Sequence, residues 1–301
     1  MVINEWPKFF TEKYLHNWPS TYLSFDLEYT GFNAEKDVIL EVGHCIVENG
    51  RLANRASFLL NWRLVDIVPD DWVKNKLDGM HRNVPGWRID WQLLQKEGLH
   101  PFEVLEFYLE LFTKWEARGL PFVAHNGYHS DERMFAGNVS GFLAKDFRFG
   151  DNSLFDTGAV YKATYILQHE KLNNKMRQAM LPNEMDTLRS YFGRVNYYPA
   201  KGCKWRLQNC VEAYGLQDDA NLQYGTYHGA EYDAVATALL MEAYREKVVR
   251  DNSGASYCDN PQDLQRAFDL QQSENELKAI SKPSNRLKPE TATRSRKQRR
   301  I

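Results

Sequence analysis

A chain of 301 residues that is 43% hydrophobic and 13% aromatic can bury one large core or two modest ones, which excludes a wholly disordered polypeptide. The formal charge of −2 hides an asymmetry: residues 282–301 hold eight Lys or Arg against Glu290 alone, and taking their +7 from −2 leaves −9 on the first 281 residues. The four scattered cysteines, Cys45, Cys203, Cys210 and Cys258, include no Cys-x-x-Cys pair and support neither a disulfide framework nor a structural zinc site.

No apolar run approaches the length of a membrane span, and "MVINEWPKFF" lacks the basic start and apolar middle of a signal peptide. The expectation is an intracellular, cytoplasmic protein with no membrane partner, or a nuclear one in a eukaryotic source. In chain order, "TYLSFDLEYT", "VILEVGHCIVENGRL" and "ASFLLNWRLV" read as three consecutive antiparallel strands, with the Asn-Gly of "ENGR" marking a tight hairpin. From "WQLLQKEGLHPFEVLEFYLELFTKWEARG" the period changes, and Phe102, Leu105, Leu109 and Phe112 recur at helical spacing before the stop at Gly119. "LPFVAHN" is another short strand-like run. Residues 166–205 read as a helical excursion broken at "YYPAKG", and "AEYDAVATALLMEAYREKVV" as a strong helix. Strands first, then helices alternating with strands, argue an α/β or α+β sheet protein. "QDLQRAFDLQQSENELKAI" has amphipathic helical spacing, whereas the basic tail behind it has too little apolar surface to offset the entropy of ordering.

Three segments carry carboxylates. Asp26 and Glu28 lie at i and i+2 of the first strand, hence on one face, where they repel unless a cation lies between them. "VAHNGYHSDERMF" delivers His125, Asn126, His129 and then Asp131 near a helix start. "YHGAEYDAVATALL" places His228 in a turn and Asp233 about one turn inside the helix that follows. Each alone has an ordinary explanation, as a solvated strand end or as a charge favourable to a helix dipole.

Together, and in this order, "FDLEYTG", "AHNGYHSD" and "HGAEYD" resemble the three motifs of the DEDDh 3′→5′ exonucleases, the family of ribonuclease T, oligoribonuclease and the proofreading subunit of bacterial DNA polymerase III. The resemblance covers about residues 20–250 and includes the His-x-x-x-x-Asp spacing that separates this branch from its Tyr-bearing sister. It departs at Tyr29, where members often have Thr, and at Ser130, where a Phe commonly precedes the acid. It implies a ribonuclease H-like α/β fold, with three antiparallel strands then parallel ones flanked by helices. An exonuclease domain would occupy residues 1–250, and residues 251–301 a helix and basic tail. It also implies two Mg²⁺ or Mn²⁺ ions held by Asp26, Glu28, Asp131 and Asp233, with Asp26 bridging, and His228 as the base that takes a proton from the attacking water. Leu27, Tyr29, Thr30 and Phe32 would meet the terminal nucleotide of a single-stranded DNA or RNA 3′ end, with Asn126 positioning His125 or a phosphate. Homodimers occur in the family. The tail reads either as a binder of nucleic acid or as a docking or targeting segment for a protein partner. A fold of this kind retained for binding without catalysis is the alternative function.

Overall fold

A computed structural model describes residues 19–168, 187–223 and 225–251. The basic tail and the helix expected before it lie outside the described residues. Strands β1 (Tyr22–Tyr29), β2 (Ile39–Glu48), β3 (Arg51–Leu59), β4 (Phe122–Ala124) and β5 (Leu154–Asp156) form one mixed sheet in the order β3-β2-β1-β4-β5. The first three are antiparallel, and β4 and β5 run parallel to β1, which is the ribonuclease H-like arrangement the sequence leads one to expect. The hairpin between β2 and β3 turns at Asn49 and Gly50, both with positive φ (51° and 73°), as the Asn-Gly pair requires. β3 starts at Arg51, well before the expected "ASFLLNWRLV", because its ladder with β2 continues directly from that turn; Trp62–Leu64 is already a 3-10 turn.

Helices α1 (Asp70–Asn83), α2 (Trp91–Glu97), α3 (Pro101–Ala117), α4 (Asp131–Asn138), α5 (Thr157–Gln168), α6 (Leu188–Tyr197), α7 (Leu207–Ala213) and α8 (Ala230–Asp251) flank the sheet. The long helical reading of "WQLLQKEGLHPFEVLEFYLELF" divides into α2 and α3 at Gly98, and Pro101 takes the first position of α3, where its missing N–H is not needed. The buried stripe of α3 is Val104, Leu105, Tyr108, Leu111, Phe112 and Trp115; Phe102 and Leu109 sit at its margin, so the core-facing stripe is rotated slightly from the one the spacing suggested.

Period-two alternation along β1 divides the core. Phe25 points to the α3 side and joins an aromatic cluster in which Phe112 meets Phe122, Phe135 and Phe149 at centroid distances of 5.6, 5.1 and 5.5 Å. Tyr22 and Ser24 point the other way, donating their hydroxyls to the Ala238 and Ala234 carbonyls of α8. Asp26 and Glu28 continue that second row, which fixes the face on which they meet α8.

Candidate active site

Parallel pairing of β1 with β4 puts their C-terminal ends on the same edge of the sheet, the place where open α/β sheets commonly expose a crevice. Asp26 and Glu28 come from the end of β1. Beyond β4 the chain turns at Asn126, whose φ of 67° is left-handed, and its carbonyl accepts from the amides of His129 and Ser130. That turn starts α4 at Asp131, whose buried carboxylate receives the Ser130 hydroxyl (2.9 Å). The third contribution is the start of α8. His228, at φ 66°, leads into the helix, and its amide donates to Asp233 Oδ2 (3.1 Å). The loop position that lets this histidine face an acid five residues ahead is therefore realised.

Close approach of α8 to the sheet depends on Gly43. It pairs with Asp26 across the β1–β2 ladder, and a Cβ there would lie 2.1 Å from the Ala230 carbonyl carbon and 2.2 Å from the Glu231 nitrogen. Neighbouring Glu41 stands opposite Glu28, is fully buried, and accepts the Ala230 amide on Oε2 (3.0 Å) while its Oε1 pairs with Arg88. Glu41 and Arg88 belong to none of the three motifs. Only the strand register reveals them, and a sequence signal would have required knowing that Glu28 and Glu41 are partners.

Four carboxylates thus converge. Burial, followed by the charges of Asp131, Asp233 and Glu28, raises the Asp26 pKa well above the carboxylate range; burial and Asp233 do the same to Glu28. Burial pushes Asp131 and Asp233 up to about 7, against the hydrogen bonds each accepts. Glu28, His228 and Asp233 offer ligand atoms that lie within 4.8 Å of one another, and Asp233 Oδ1 is buried without a hydrogen-bond partner. An orphaned carboxylate oxygen among mutually repelling acids fits a divalent cation. Desolvation first, and then the charge of Arg206, lower the His228 pKa, which favours the neutral imidazole.

The remaining candidates separate. Phe32 is 75% exposed, and Tyr29 packs edge-on against it (5.4 Å). Thr30 is buried; its hydroxyl donates to Asp37 (3.1 Å) and accepts the Val38 amide, so its side chain holds the loop rather than facing the crevice. Leu27 is a core side chain. Asn126 serves through its turn, its amide donating to Asp156 (2.8 Å). His125 is held by Thr157 and the Trp205 carbonyl, and desolvation lowers its pKa to about 4; His129 is exposed.

No family model matches the chain, and none of the curated proteins compared with it matches either. Among solved structures it is similar to E. coli exonuclease I in complex with a dT13 oligonucleotide, at 18% identity and a TM-score of 0.48 over 77% of this chain and 43% of that one. The zinc-bound E. coli exonuclease I complex with single-stranded DNA matches at 17% identity and a TM-score of 0.48, over 87% and 45%. The chain spans less than half the length of these relatives. No helix among the described residues is long and apolar enough to cross a membrane.

Proposed function

We propose that this chain is a metal-dependent 3′→5′ exonuclease that hydrolyses phosphodiester bonds of single-stranded DNA or RNA and releases nucleoside monophosphates. The observation that carries this reading is the meeting of Glu28, Asp233 and His228 at one edge of the sheet, with Asp26 and Asp131 near enough for their charges to act on the same carboxylates. Asp26, Glu28, Asp131 and Asp233 would hold two divalent ions, which supply charge neutralisation at phosphorus and an acidified water. His228 would accept the proton of the attacking water, and the lowering of its pKa by desolvation favours the neutral imidazole that this role needs. Phe32, which is exposed, would meet the terminal base.

The test is a 5′-labelled oligonucleotide incubated with Mg²⁺ or Mn²⁺ and resolved by length. Stepwise shortening that stops in excess chelator and in Asp26→Ala or Asp233→Ala is the expected result. Undiminished activity in those variants would overturn the reading. Matched DNA and RNA strands in parallel, single and double, assign the substrate.

A further inference from the structure

The segment between α6 and α7, Tyr197–Arg206, reads Tyr-Tyr-Pro-Ala-Lys-Gly-Cys-Lys-Trp-Arg and lies in the part of the chain whose order the sequence leaves most open. Tyr197 is 81% exposed, standing edge-on to Tyr198 at 5.5 Å, the largest exposure among the exposed hydrophobic side chains of the described residues. Lys201, Lys204 and Arg206 are exposed, and none of them forms an ion pair among the described residues. Three cations unpaired among the described residues and interleaved with aromatic rings thus stand on a chain that carries −9 over its first 281 residues.

Geometry ties this segment to the acid centre. The Trp205 carbonyl accepts from His125 Nε2 (2.7 Å), the Trp205 and His125 rings stack at 6.4 Å and 20°, and the Lys162 ammonium lies 5.9 Å from the Trp205 ring. His125 immediately precedes the Asn126 turn that delivers Asp131. Arg206 lies near enough to His228 for its charge to act on the imidazole. The segment thus runs from a solvent-facing tyrosine to the edge of the site, presenting cations along the way.

We propose that residues 197–206 form a strand-guiding arm, in which Lys201, Lys204 and Arg206 contact successive phosphates of a single-stranded nucleic acid and Tyr197 stacks on one of its bases. The nucleic-acid occupant rests on the nuclease reading and on charge: the arm carries exposed cations up to residues that border the acid cluster, and a polyanion with π-faces satisfies both kinds of side chain. The short segment cannot read sequence, so binding is expected to be tolerant of base identity.

The test is fluorescence anisotropy of a labelled single-stranded oligothymidylate of about 20 nucleotides in excess chelator, where hydrolysis does not run, across a salt series. The triple variant Lys201→Ala/Lys204→Ala/Arg206→Ala is expected to bind at least tenfold more weakly at ~0.1 M salt, with a log–log salt slope smaller by about 2, since each single-strand phosphate contact contributes about 0.7. Tyr197→Ala is expected to weaken binding about fivefold or more with the slope unchanged. Circular dichroism and melting establish that both variants fold. Lys114→Ala/Lys145→Ala, which removes two cations paired with Glu110 and Glu106 elsewhere, is expected to bind as the parent does. An unchanged affinity and slope in the triple variant, or an equal loss in the control, overturns the arm. Strand shortening by a chain whose binding ignores the arm removes the arm alone; arm-dependent binding without any shortening removes the nuclease reading alone; neither binding nor shortening removes both.

Discussion

Asp233 accepts the His228 amide on one oxygen and keeps the other buried without a partner, in a crevice where Asp26, Glu28 and Asp131 repel it. Such a group opposes folding until a cation arrives, so Asp233→Asn is expected to remove hydrolysis yet stabilise the metal-free chain. A gain of about 1 kcal/mol corresponds to about 2–4 °C in Tm for a domain of this size, readable by calorimetry in chelator; a lower Tm would contradict the repulsion. The pH dependence has a definite sign. Asp131 and Asp233 have folded pKa values of about 7, above the usual carboxylate value of about 4, so between these limits the folded state binds more protons than the unfolded one. Stability contributed by these groups is therefore full at low pH and lost as pH rises towards and through 7. The metal-free chain is expected to melt higher at pH 5 than at pH 8, with a shallower difference in Asp233→Asn. His228 has a different duty, and His228→Ala is expected to lower kcat by about 10²–10⁴-fold with the circular dichroism spectrum unchanged.

At the scale of elements, the site depends on how closely α8 lies on β2. Gly43→Ala would drive a methyl into the backbone of Ala230 and Glu231, and neither carbonyl nor amide can swing away as a side-chain tip could. A stability loss of about 1–3 kcal/mol is expected from the overpacking, together with weaker activity because His228 and Asp233 shift with the helix start. Urea titration and oligonucleotide hydrolysis measure the two; a variant with parental values of both would show that the helix start has room to move. The carboxylates of β1 and α8 were legible in the sequence because their spacing carries geometry: i and i+2 share a strand face, and a histidine in a turn can reach an acid inside the next helix. Glu41 and Arg88 were not, since their meaning arises only when β2 pairs with β1 in one register. The helix α1 was missed for a related reason, because only Val73 and Leu77 of its fourteen residues are buried and the apolar period is correspondingly faint. That the Thr30 hydroxyl turns to Asp37 was not legible either, because a hydroxyl next to a motif gives no sign of which way it points.

For the whole molecule, a cation that binds the folded state alone must raise its stability. Mn²⁺ at about 100 times its dissociation constant is expected to add about 2.7 kcal/mol, and the increment should vanish in Asp26→Asn, in which one charge of the cluster is gone; an equal increment in that variant would place the ion elsewhere. The groups that hold α8 on the sheet come from opposite ends of the described chain: Tyr22 meets Ala238 across 216 positions, Ser24 meets Ala234 across 210, and Glu41 meets Ala230 across 189. Closing so long a loop is entropically costly before its contacts can repay it, and topologies rich in such contacts fold slowly. The hairpin β1–β2–β3 can pair from local sequence, but the fourth acid and the histidine reach it only when α8 docks. During refolding, cation uptake should therefore lag behind the recovery of strand and helix signals, making a metal-sensitive dye a clock for the last long-range event in the assembly of the chain.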